Sequence, residues 1–415
     1  MPNLIDMKLQ SAVICIGNEL LIGRTLNSNL AFLGAGMAEL GIPVAYSLTI
    51  RDDHDAIKKA LDECWQRYDV VISTGGLGPT QDDITKAAIA EYFGKSMYFC
   101  EDVWEHIQRI FTRRDVAIPQ SNRSQAMVPE DFSPLRNDRG TAPGLHYSRD
   151  GKHLFVLQGV PLEMRHMFEQ HIKPIIKQAH HEAMGLVVCN LHTYGVAESS
   201  LAELLDPKEL PAGVSLAWLP QTGRVDLRIY GEDAAAIAIA EKYLIRKVGD
   251  YVWGRDETLP AGYLLRLLKE RGLSLAAAES CTGGLAQRFI TDIPGASDVF
   301  LGGVVSYANR VKAELLGVDD SILDTFGAVS EECARAMVRG LQKLLKADVA
   351  FAITGIAGPD GATAEKPVGT VFFSWRINDN EYALRRLLTG DRESIRHKAA
   401  EMAILELANT LRDEY

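Results

Sequence analysis

The first part of the chain alternates short apolar runs with stretches in which apolar residues recur at helical spacing. Apolar residues at 12–16 predict a strand, the spacing at 27–40 predicts a helix, and Gly41 is typical of a helix end. A strand PVAYSLTI, a helix at 54–67 and a strand DVVIST follow, and this strand runs directly into the turn GGLGPT at 75–80. Strand, glycine turn and helix in repetition predict a parallel sheet with helices on both faces.

The repetition of strand, glycine turn and helix weakens after about residue 174. Residues 186–256 hold the strand VVCNLHTYG, two further strand-like runs, a helix that begins near Glu198 and another helix at 234–248. No glycine-rich ligand loop lies among them. We therefore predict a small α+β unit that connects domains or dimerises.

The α/β pattern returns in the last third of the chain. A helix at 261–271 precedes the strand LSLAAA, which runs into ESCTGG at 279–284, and the strand GGVVSYA, a helix at 330–346 and the strand DVAFAIT follow. The fold class predicted is α/β, with two three-layer α/β domains that contain mostly parallel sheets. The predicted domains are residues 1–172, the small α+β domain at 173–256, and residues 257–415.

Composition narrows the classes of function. The net charge of −11 over 415 residues argues against a nucleic-acid surface, because phosphate binding needs concentrated positive charge. The 6 cysteines form no CxxC pair, so neither a zinc knuckle nor a disulfide framework is indicated. We expect no secretory signal and no membrane span, since no apolar run approaches roughly 20 residues. These features predict a cytoplasmic protein that acts on small molecules.

The glycine turn of the amino-terminal domain suggests an anion site. Its glycines allow close approach of a ligand, and the following helix presents free N–H groups. Asp82 and Asp83 stand at the opening of that helix, where two carboxylates suit a hydrated divalent ion that bridges to phosphate. The alternative is that both residues only favour the helix amino end, where aspartate is common.

Ser280 is a candidate nucleophile because it stands on a turn between a strand and a helix expected to begin near Thr282. Such a turn projects the hydroxyl above the sheet and directs backbone amides toward a developing oxyanion. Ser280 could instead cap the helix, and Cys281 is a rival nucleophile near a helix amino end. Glu279 is either structural or holds a substrate amide.

A serine nucleophile needs a base. The only histidine after Ser280 is His397, on a charged stretch typical of a helix surface. Lys312 follows an apolar strand together with Tyr307, and it can act as a base if burial or neighbouring cations lower its pKa. Arg310 or Arg392 could supply such a field. The alternative is that Lys312 is solvated.

The amino-terminal motifs resemble those of the molybdopterin-binding fold family, and more closely the CinA family of competence/damage-inducible proteins. The motifs are GNELLIG at 17–23, NSN at 27–29, TGGLGPTQDDIT at 74–85 and GTAPG at 140–144. The resemblance implies a metal-dependent ADP-ribose pyrophosphatase, with Asp82, Asp83 and Glu19 as metal ligands. One departure is LQGVP at 157–161, where the family usually has a proline-rich LPGxP, so Gln158 is expected to alter the stiffness of the loop. The competing view is a phosphate-binding domain without turnover.

The carboxyl-terminal motifs resemble the CinA carboxyl-terminal family, which includes bacterial nicotinamide-nucleotide amidases. The motifs are AESCTGG at 278–284, SYANRVK at 306–312, GAVS at 327–330, TGIAGP at 354–359, KPVGT at 366–370 and GDR at 390–392. The resemblance implies that Ser280 is the nucleophile, Lys312 its base and Tyr307 an assisting residue. It also implies a nucleotide pocket shaped by Thr354, Gly355 and Arg392, although Arg396 could replace Arg392.

The resemblance thus implies an amidohydrolase that converts nicotinamide mononucleotide to nicotinic acid mononucleotide and ammonia, without a metal. Glu279, Cys281, Thr282 and Gly283 would contact substrate, and amides near 281–283 would hold the oxyanion. Pyridine nucleotides are the expected small-molecule partners, and a homodimer is implied by resemblance only. The alternatives are a metal-dependent ADP-ribose pyrophosphatase in the amino-terminal domain, alone or as a second activity, and a non-catalytic regulatory protein.

Overall fold

The computed structural model describes residues 9–80, 83–180, 185–221 and 224–414. The chain divides into two compact units. The first unit holds the residues up to 188 together with 212–215 and 230–237, and the second holds the remainder. Each unit is built from strands and helices that follow one another in alternation.

The first unit opens with a helix-covered sheet. In chain order its elements are β1 (Ser11–Ile16), α1 (Asn18–Leu21), α2 (Ser28–Glu39), β2 (Val44–Ile50), α3 (His54–Arg67), β3 (Val70–Thr74), α4 (Thr85–Tyr92), β4 (Met97–Phe99), α5 (Glu101–Arg113), β5 (Met127–Pro129), β6 (Ser133–Leu135), β7 (Gly144–Arg149), β8 (Lys152–Leu157), α6 (Pro161–Met167) and α7 (Lys173–Ala179). A π-helical turn, Phe168–Ile172, joins α6 to α7. Strands β4 and β5 pair separately from the main sheet.

The main sheet of this unit has the strand order β2-β1-β3-β8-β7-β6. Strands β2, β1, β3 and β8 run parallel, and β7 and β6 extend the sheet antiparallel. Every residue of β1 and β3 is buried, because helices cover both faces. This double burial explains why these strands are continuous apolar runs in the sequence.

Side-chain caps fix the ends of the predicted helices. Asn27 accepts a hydrogen bond from the N–H of Leu30 at the start of α2, and Asp53 does the same for Ala56 at the start of α3. Gly41 lies just beyond α2 with a φ of 75°, a left-handed conformation that favours glycine. The helices predicted at 27–40 and 54–67 are therefore confirmed.

The middle of the chain forms a separate small sheet. Its elements are β9 (Val187–Thr193), α8 (Glu198–Leu204), β10 (Ser215–Gln221), β11 (Arg224–Gly231), α9 (Ala234–Val248) and β12 (Val252–Arg255). The strand order is β10-β11-β9-β12, and β12 pairs antiparallel with β9. Parts of this stretch belong to each compact unit, so the domain boundaries after residues 172 and 256 stay predictions.

The last third of the chain is a second helix-covered sheet. Its elements are α10 (Pro260–Arg271), β13 (Leu275–Glu279), α11 (Leu285–Thr291), β14 (Phe300–Val305), α12 (Asn309–Leu316), α13 (Asp320–Thr325), α14 (Glu331–Leu345), β15 (Val349–Gly355), β16 (Thr370–Ile377), β17 (Asn380–Leu387) and α15 (Arg392–Glu414). Strands β14, β13 and β15 run parallel, and β16 and β17 continue the sheet as an antiparallel hairpin.

Alternate residues of β13 enter two different cores, so this part of the chain has three layers. Leu275 and Ala277 pack with α10, α11 and α15, whereas Ala276 and Ala278 pack with α12 and α14. The α/β class predicted from the sequence is confirmed. Half of the strand pairings in this sheet are antiparallel, because a hairpin needs no crossover helix. No helix in the described ranges is both long and apolar enough to cross a membrane.

Candidate functional site

Ser280 directly follows β13, and the neighbouring strand holds it in place. Its N–H donates to the carbonyl of Ile353 on β15 at 2.9 Å, and the residue is only 8% exposed. The turn that follows contains Gly283 and Gly284, both at positive φ. These left-handed residues interrupt the helical path, so α11 begins at Leu285 rather than near Thr282 as predicted.

Glu279 holds the start of α11. Its carboxylate is fully buried and accepts hydrogen bonds from the N–H groups of Gly284, Ala286 and Gln287 at 2.9, 3.2 and 2.8 Å. Both carboxylate oxygens are therefore used by main-chain amides, which matches the structural alternative for Glu279 rather than a contact with substrate. Ser280 does not cap the helix, because Gly284 occupies the cap position without a side-chain bond.

Lys312 lies on α12 with its amine against the candidate nucleophile. The side chain is 1% exposed, and Nζ lies 3.0 Å from Ser280 Oγ. Two main-chain carbonyls complete its surroundings, that of Ser306 at 2.6 Å and that of Tyr307 at 3.4 Å. The solvated alternative for Lys312 is therefore wrong.

The partners of Lys312 suit a neutral amine. Burial lowers the pKa of Lys312 below its ordinary value of 10.5, although the Cys333 and Cys281 thiols oppose this shift when ionised. A neutral amine has two N–H donors, which the carbonyls of Ser306 and Tyr307 can accept. Its lone pair is then free to accept the O–H of Ser280.

Cys281 lies in the same turn but in a different chemical state. Burial raises the pKa of its thiol to about 12, so the group is protonated at neutral pH. A cysteine nucleophile reacts as the thiolate, and reactive cysteines have lowered rather than raised pKa values. The geometry therefore favours Ser280 over its rival. Cys333, which is fully buried beside Lys312, was not anticipated, because a lone cysteine on a helix has no distinguishing sequence signal.

Two of the three arginines considered from the sequence lie at this site, at different parts of it. Arg392 donates to the hydroxyl of Tyr307 at 3.0 Å and to the carbonyl of Gly358 at 2.5 Å. Arg396 donates to the carbonyl of Thr282 at 2.8 Å. Arg310, the other suggested source of a positive field, pairs with Glu314 at 2.8 Å on the surface. Its charge is therefore compensated.

The remaining predicted residues surround the same turn. Thr354, next to the Ile353 carbonyl that holds Ser280, donates its hydroxyl to the carbonyl of Ala328 at 2.7 Å. Thr282 is fully buried, and its hydroxyl has no partner among the described residues. Gly355 ends β15. His397 is exposed and contacts Phe289, so it is no base for Ser280.

A second candidate site is a cleft of about 490 Å³ in the first unit. The glycine turn Gly75–Gly78 lines it together with four carboxylates, those of Glu19, Asp52, Asp83 and Glu163. Asp83 accepts hydrogen bonds from the N–H and the hydroxyl of Thr80 at 2.8 and 2.6 Å. Asp82, the other aspartate of the predicted pair, lies outside the described residues.

The cleft has the donor chemistry for a cation but not a formed metal site. Carboxylate oxygens suit a hard divalent ion, and none of the described lining residues is a lysine or arginine. No group of three ligating side chains able to hold a metal occurs in the described part of the chain. The metal ligands Glu19, Asp82 and Asp83 therefore stay a prediction.

Gln158 has a structural role at this cleft. Its buried side-chain amide donates to the carbonyls of Ala142 and Pro143 at 2.5 and 2.7 Å. The end of β8 is thereby tied to the GTAPG loop, which also lines the cleft. A proline at this position would lack these donors. Gln158 therefore anchors the end of β8 through two hydrogen bonds.

Two parts of the chain match known protein families. Residues 12–178 match the family described as "Probable molybdopterin binding domain", and residues 259–411 match "CinA C-terminal domain". A CinA-like protein from Gemmatimonas aurantiaca is 42% identical over 94% of this chain and 94% of its own length. A CinA-like protein from Dictyoglomus turgidum is 37% identical over 94% of this chain and 96% of its own length.

One solved structure to which the chain is similar spans a smaller part of it. The protein CinA from Thermoplasma acidophilum is 36% identical and covers 40% of this chain and 97% of its own, with a TM-score of 0.37. The identity of the relatives extends over nearly the whole length of each protein. The chain therefore belongs to the CinA family.

Proposed function

We propose that residues 257–415 form a nicotinamide mononucleotide deamidase that uses Ser280 as its nucleophile and Lys312 as its base. The observation that carries this proposal is the 3.0 Å distance between Lys312 Nζ and Ser280 Oγ in a buried setting. A serine hydroxyl is a weak nucleophile without a base in hydrogen-bond contact, and this contact supplies one. The choice of a nicotinamide nucleotide rests on the resemblance of the motifs.

In the proposed acylation step, Ser280 Oγ attacks the carboxamide carbon of the substrate. Lys312 accepts the Ser280 proton as the new C–O bond forms, and the carbonyl π electrons move to the oxygen. The tetrahedral intermediate then collapses and the C–N bond breaks. Lys312 returns its proton to the leaving nitrogen, so that ammonia departs and an acyl-ester on Ser280 is left.

The oxyanion of that intermediate needs donors in the nucleophile turn. The N–H of Gly283 already donates to the carbonyl of Ser280 at 3.1 Å, and that of Gly284 donates to Glu279. Within the described structure, the N–H groups of Cys281 and Thr282 have no oxygen acceptor and lie beside the Cys281 sulfur. We assign the oxyanion to these two amides. One such donor is typically worth on the order of 3 kcal/mol.

Deacylation repeats the proton transfers with water as the nucleophile. Lys312 takes a proton from water as its oxygen attacks the ester carbon, and then returns that proton to Ser280 Oγ as the ester bond breaks. The products are nicotinic acid mononucleotide and free enzyme. The proposed steps use only protein groups, so the deamidase is expected to resist chelators.

We assign the nucleotide side of the substrate to the exposed rim of the site. Tyr307 is 60% exposed, and its hydroxyl joins the guanidinium of Arg392. The glycine turns at 283–284 and 355–358 offer main-chain N–H groups for the ribose phosphate. The rim thus carries the positive charge that a nucleotide monophosphate requires.

The activity is tested by ammonia release from nicotinamide mononucleotide by the purified full-length chain. Release that is equal with and without EDTA is the expected result. Absence of release under both conditions, from protein that melts cooperatively, would reject the deamidase.

A second candidate function is metal-dependent hydrolysis of ADP-ribose in the first unit. The favouring observation is the cleft with four carboxylates and a glycine turn, where a phosphate anion can bind only with cations that offset the carboxylate charge. AMP release from ADP-ribose that requires Mg²⁺ and disappears in Asp83→Ala would support it. If neither ammonia nor AMP is released, the result would favour the remaining hypothesis, a regulatory protein without catalysis.

A further inference from the structure

The turn that carries Ser280 is held from both sides by buried or half-buried charges. On one side, the Glu279 carboxylate accepts from the amides of Gly284, Ala286 and Gln287. On the other side, the Arg396 guanidinium donates to the carbonyl of Thr282 at 2.8 Å. We propose that Arg396 is a positioning residue that fixes Thr282 and so aims the Cys281 and Thr282 amides at the oxyanion. This inference rests on the proposed function.

The peptide group between Thr282 and Gly283 is fixed at both of its ends. Its carbonyl oxygen is held by Arg396, and its N–H donates to the carbonyl of Ser280 at 3.1 Å. The Thr282 side chain is fully buried, so the residue cannot rotate without displacing its neighbours. With side chain and carbonyl both fixed, the direction of the Thr282 N–H is also fixed.

Gly283 allows the guanidinium to reach the turn. A Cβ built at this position would lie 3.4 Å from Arg396 Nη2, and the φ of 63° is left-handed. Glycine thus meets two requirements here, the conformation of the turn and the close approach of a cation. The donor pair of an oxyanion site must be held to about half an ångström, and this contact provides the restraint.

Arg396 and Arg392 therefore have different roles, although one helical turn separates them. Arg392 contacts Tyr307 and Gly358 at the exposed rim, where substrate would bind. Arg396 contacts only the nucleophile turn among the described hydrogen-bond partners. Loss of Arg396 should consequently affect the transition state, and loss of Arg392 should affect substrate binding.

The test compares the variants Arg396→Met, Arg396→Lys and Arg392→Met with the wild-type chain. Arg288→Met is the matched control, since the Arg288 side chain is 72% exposed and pairs with Asp292, the residue that follows α11. Steady-state deamidation of nicotinamide mononucleotide gives kcat and KM. Arg396→Met is expected to lower kcat by ~10²-fold with KM within about 3-fold of wild type. Arg392→Met is expected to raise KM, and Arg288→Met to change neither.

A second readout does not depend on the natural substrate. A fluorophosphonate labels a serine nucleophile when Ser280 Oγ forms a bond to phosphorus, fluoride leaves and the Ser280 proton passes to Lys312. The phosphoryl oxygen then occupies the oxyanion position. The labelling rate, followed by intact mass, is expected to fall in Arg396→Met by the same factor as kcat and to recover in part in Arg396→Lys, which keeps the charge.

The outcomes separate the inference from the proposed function. Unchanged labelling together with a raised KM in Arg396→Met would overturn the positioning role and make Arg396 a substrate ligand. If wild type releases no ammonia but its labelling still falls in Arg396→Met, the deamidase proposal fails and the positioning role stands. If Arg396→Met does not fold, Arg396→Lys is used alone. Its labelling rate is expected to fall about 10-fold. An unchanged labelling rate in Arg396→Lys would overturn the positioning role.

Discussion

At the scale of single residues, the proposed chemistry depends on the amine of Lys312, whose buried surroundings disfavour its charged form. Lys312 has only neutral partners, namely a hydroxyl and two carbonyls, and the nearby Cys281 and Cys333 thiols have pKa values raised to about 12 and about 11. Neither thiol is ionised at neutral pH, so neither stabilises an ammonium. Burial without a counter-charge therefore favours the neutral base.

Replacement of Lys312 by Met preserves the shape of the buried side chain and removes the base. We expect kcat for deamidation to fall by ~10²–10⁴-fold, the usual contribution of a general base. Lys312→Arg should not restore activity, because a guanidinium keeps its proton. A Lys312→Met variant with more than about half of the wild-type kcat would contradict the assignment.

The state of Lys312 also predicts the pH dependence of activity. The lowered pKa means that the folded protein loses this proton below the ordinary value of 10.5. Activity should therefore rise with pH as Lys312 becomes neutral, with an acid limb in kcat/KM whose apparent pKa lies below 10.5. The residual activity of Lys312→Met should lack this limb, and the same limb in the variant would assign it to another group.

At the scale of elements, strand register explains how residues far apart in sequence meet. Val305 at the end of β14 pairs with Glu279 at the end of β13, and the N–H of Ser306 donates to the carbonyl of Glu279 at 2.8 Å. Helix α12 follows immediately and turns Lys312 back toward Ser280. A one-residue shift of this pairing would send alternate residues to the opposite face.

Glu279 supports this arrangement, because its carboxylate accepts hydrogen bonds from the free N–H groups at the start of α11. Glu279→Gln exchanges one acceptor for a donor that faces a main-chain N–H group. We expect a loss of ~1–3 kcal/mol in the free energy of unfolding, measured by urea titration. Glu270→Gln is the control, since that exposed side chain pairs only with Arg266. Equal stability of the two variants would show that the cap contributes little.

Much of the fold could be predicted from the sequence because the signals were local. The signals for the helix at 54–67, namely its capping residue and its apolar face, lie within or next to the segment itself. The structure has the same bounds for this helix. The start of α11 was missed because two glycines at positive φ override the helical pattern. The contact between Ser280 and Lys312 was only implied by resemblance, since it depends on the register of β14 against β13. The main-chain groups that contact Lys312, such as the Ser306 carbonyl, could not be predicted, because residue types in the sequence do not identify them.

At the scale of the whole molecule, each compact unit carries a candidate site of a different chemical kind. The cleft of the first unit is lined by carboxylates, whereas the Ser280 site holds a buried amine and two arginines. The second unit is also tied together over long sequence distances. Arg224 on β11 pairs with Glu401 on α15, the helix that carries both arginines, and with Asp226.

The same network contains His192, which predicts a pH dependence of stability. Its Nδ1 lies 3.1 Å from an Asp226 carboxylate oxygen and its Nε2 lies 2.7 Å from the Asp256 carbonyl oxygen, so both nitrogens face acceptors that favour the protonated ring. Burial disfavours the charge and Arg224 opposes it, but the bonds to Asp226 and Asp256 outweigh them and raise the pKa of His192 above 6.5. A raised pKa gives stability that is complete below pH 6.5 and is lost as pH rises through the folded value.

This dependence is measured as the difference in melting temperature between wild type and His192→Gln across pH. The difference should be largest below pH 6.5 and should shrink as pH rises. His397→Gln, which alters an exposed histidine of α15, should melt in parallel with wild type. A difference between wild type and His192→Gln that is constant across pH would contradict the buried charge.

The most direct test of the central claim is the rate of ammonia release from nicotinamide mononucleotide by Ser280→Ala and Cys281→Ala. Both variants remove a single atom from neighbouring residues of the same buried turn, so they are matched in size and position. If Ser280 is the nucleophile, Ser280→Ala loses at least ~10³-fold in kcat, and Cys281→Ala stays within about 10-fold of wild type. Full activity in Ser280→Ala, with loss in Cys281→Ala, would contradict the account and transfer the nucleophile to the thiol.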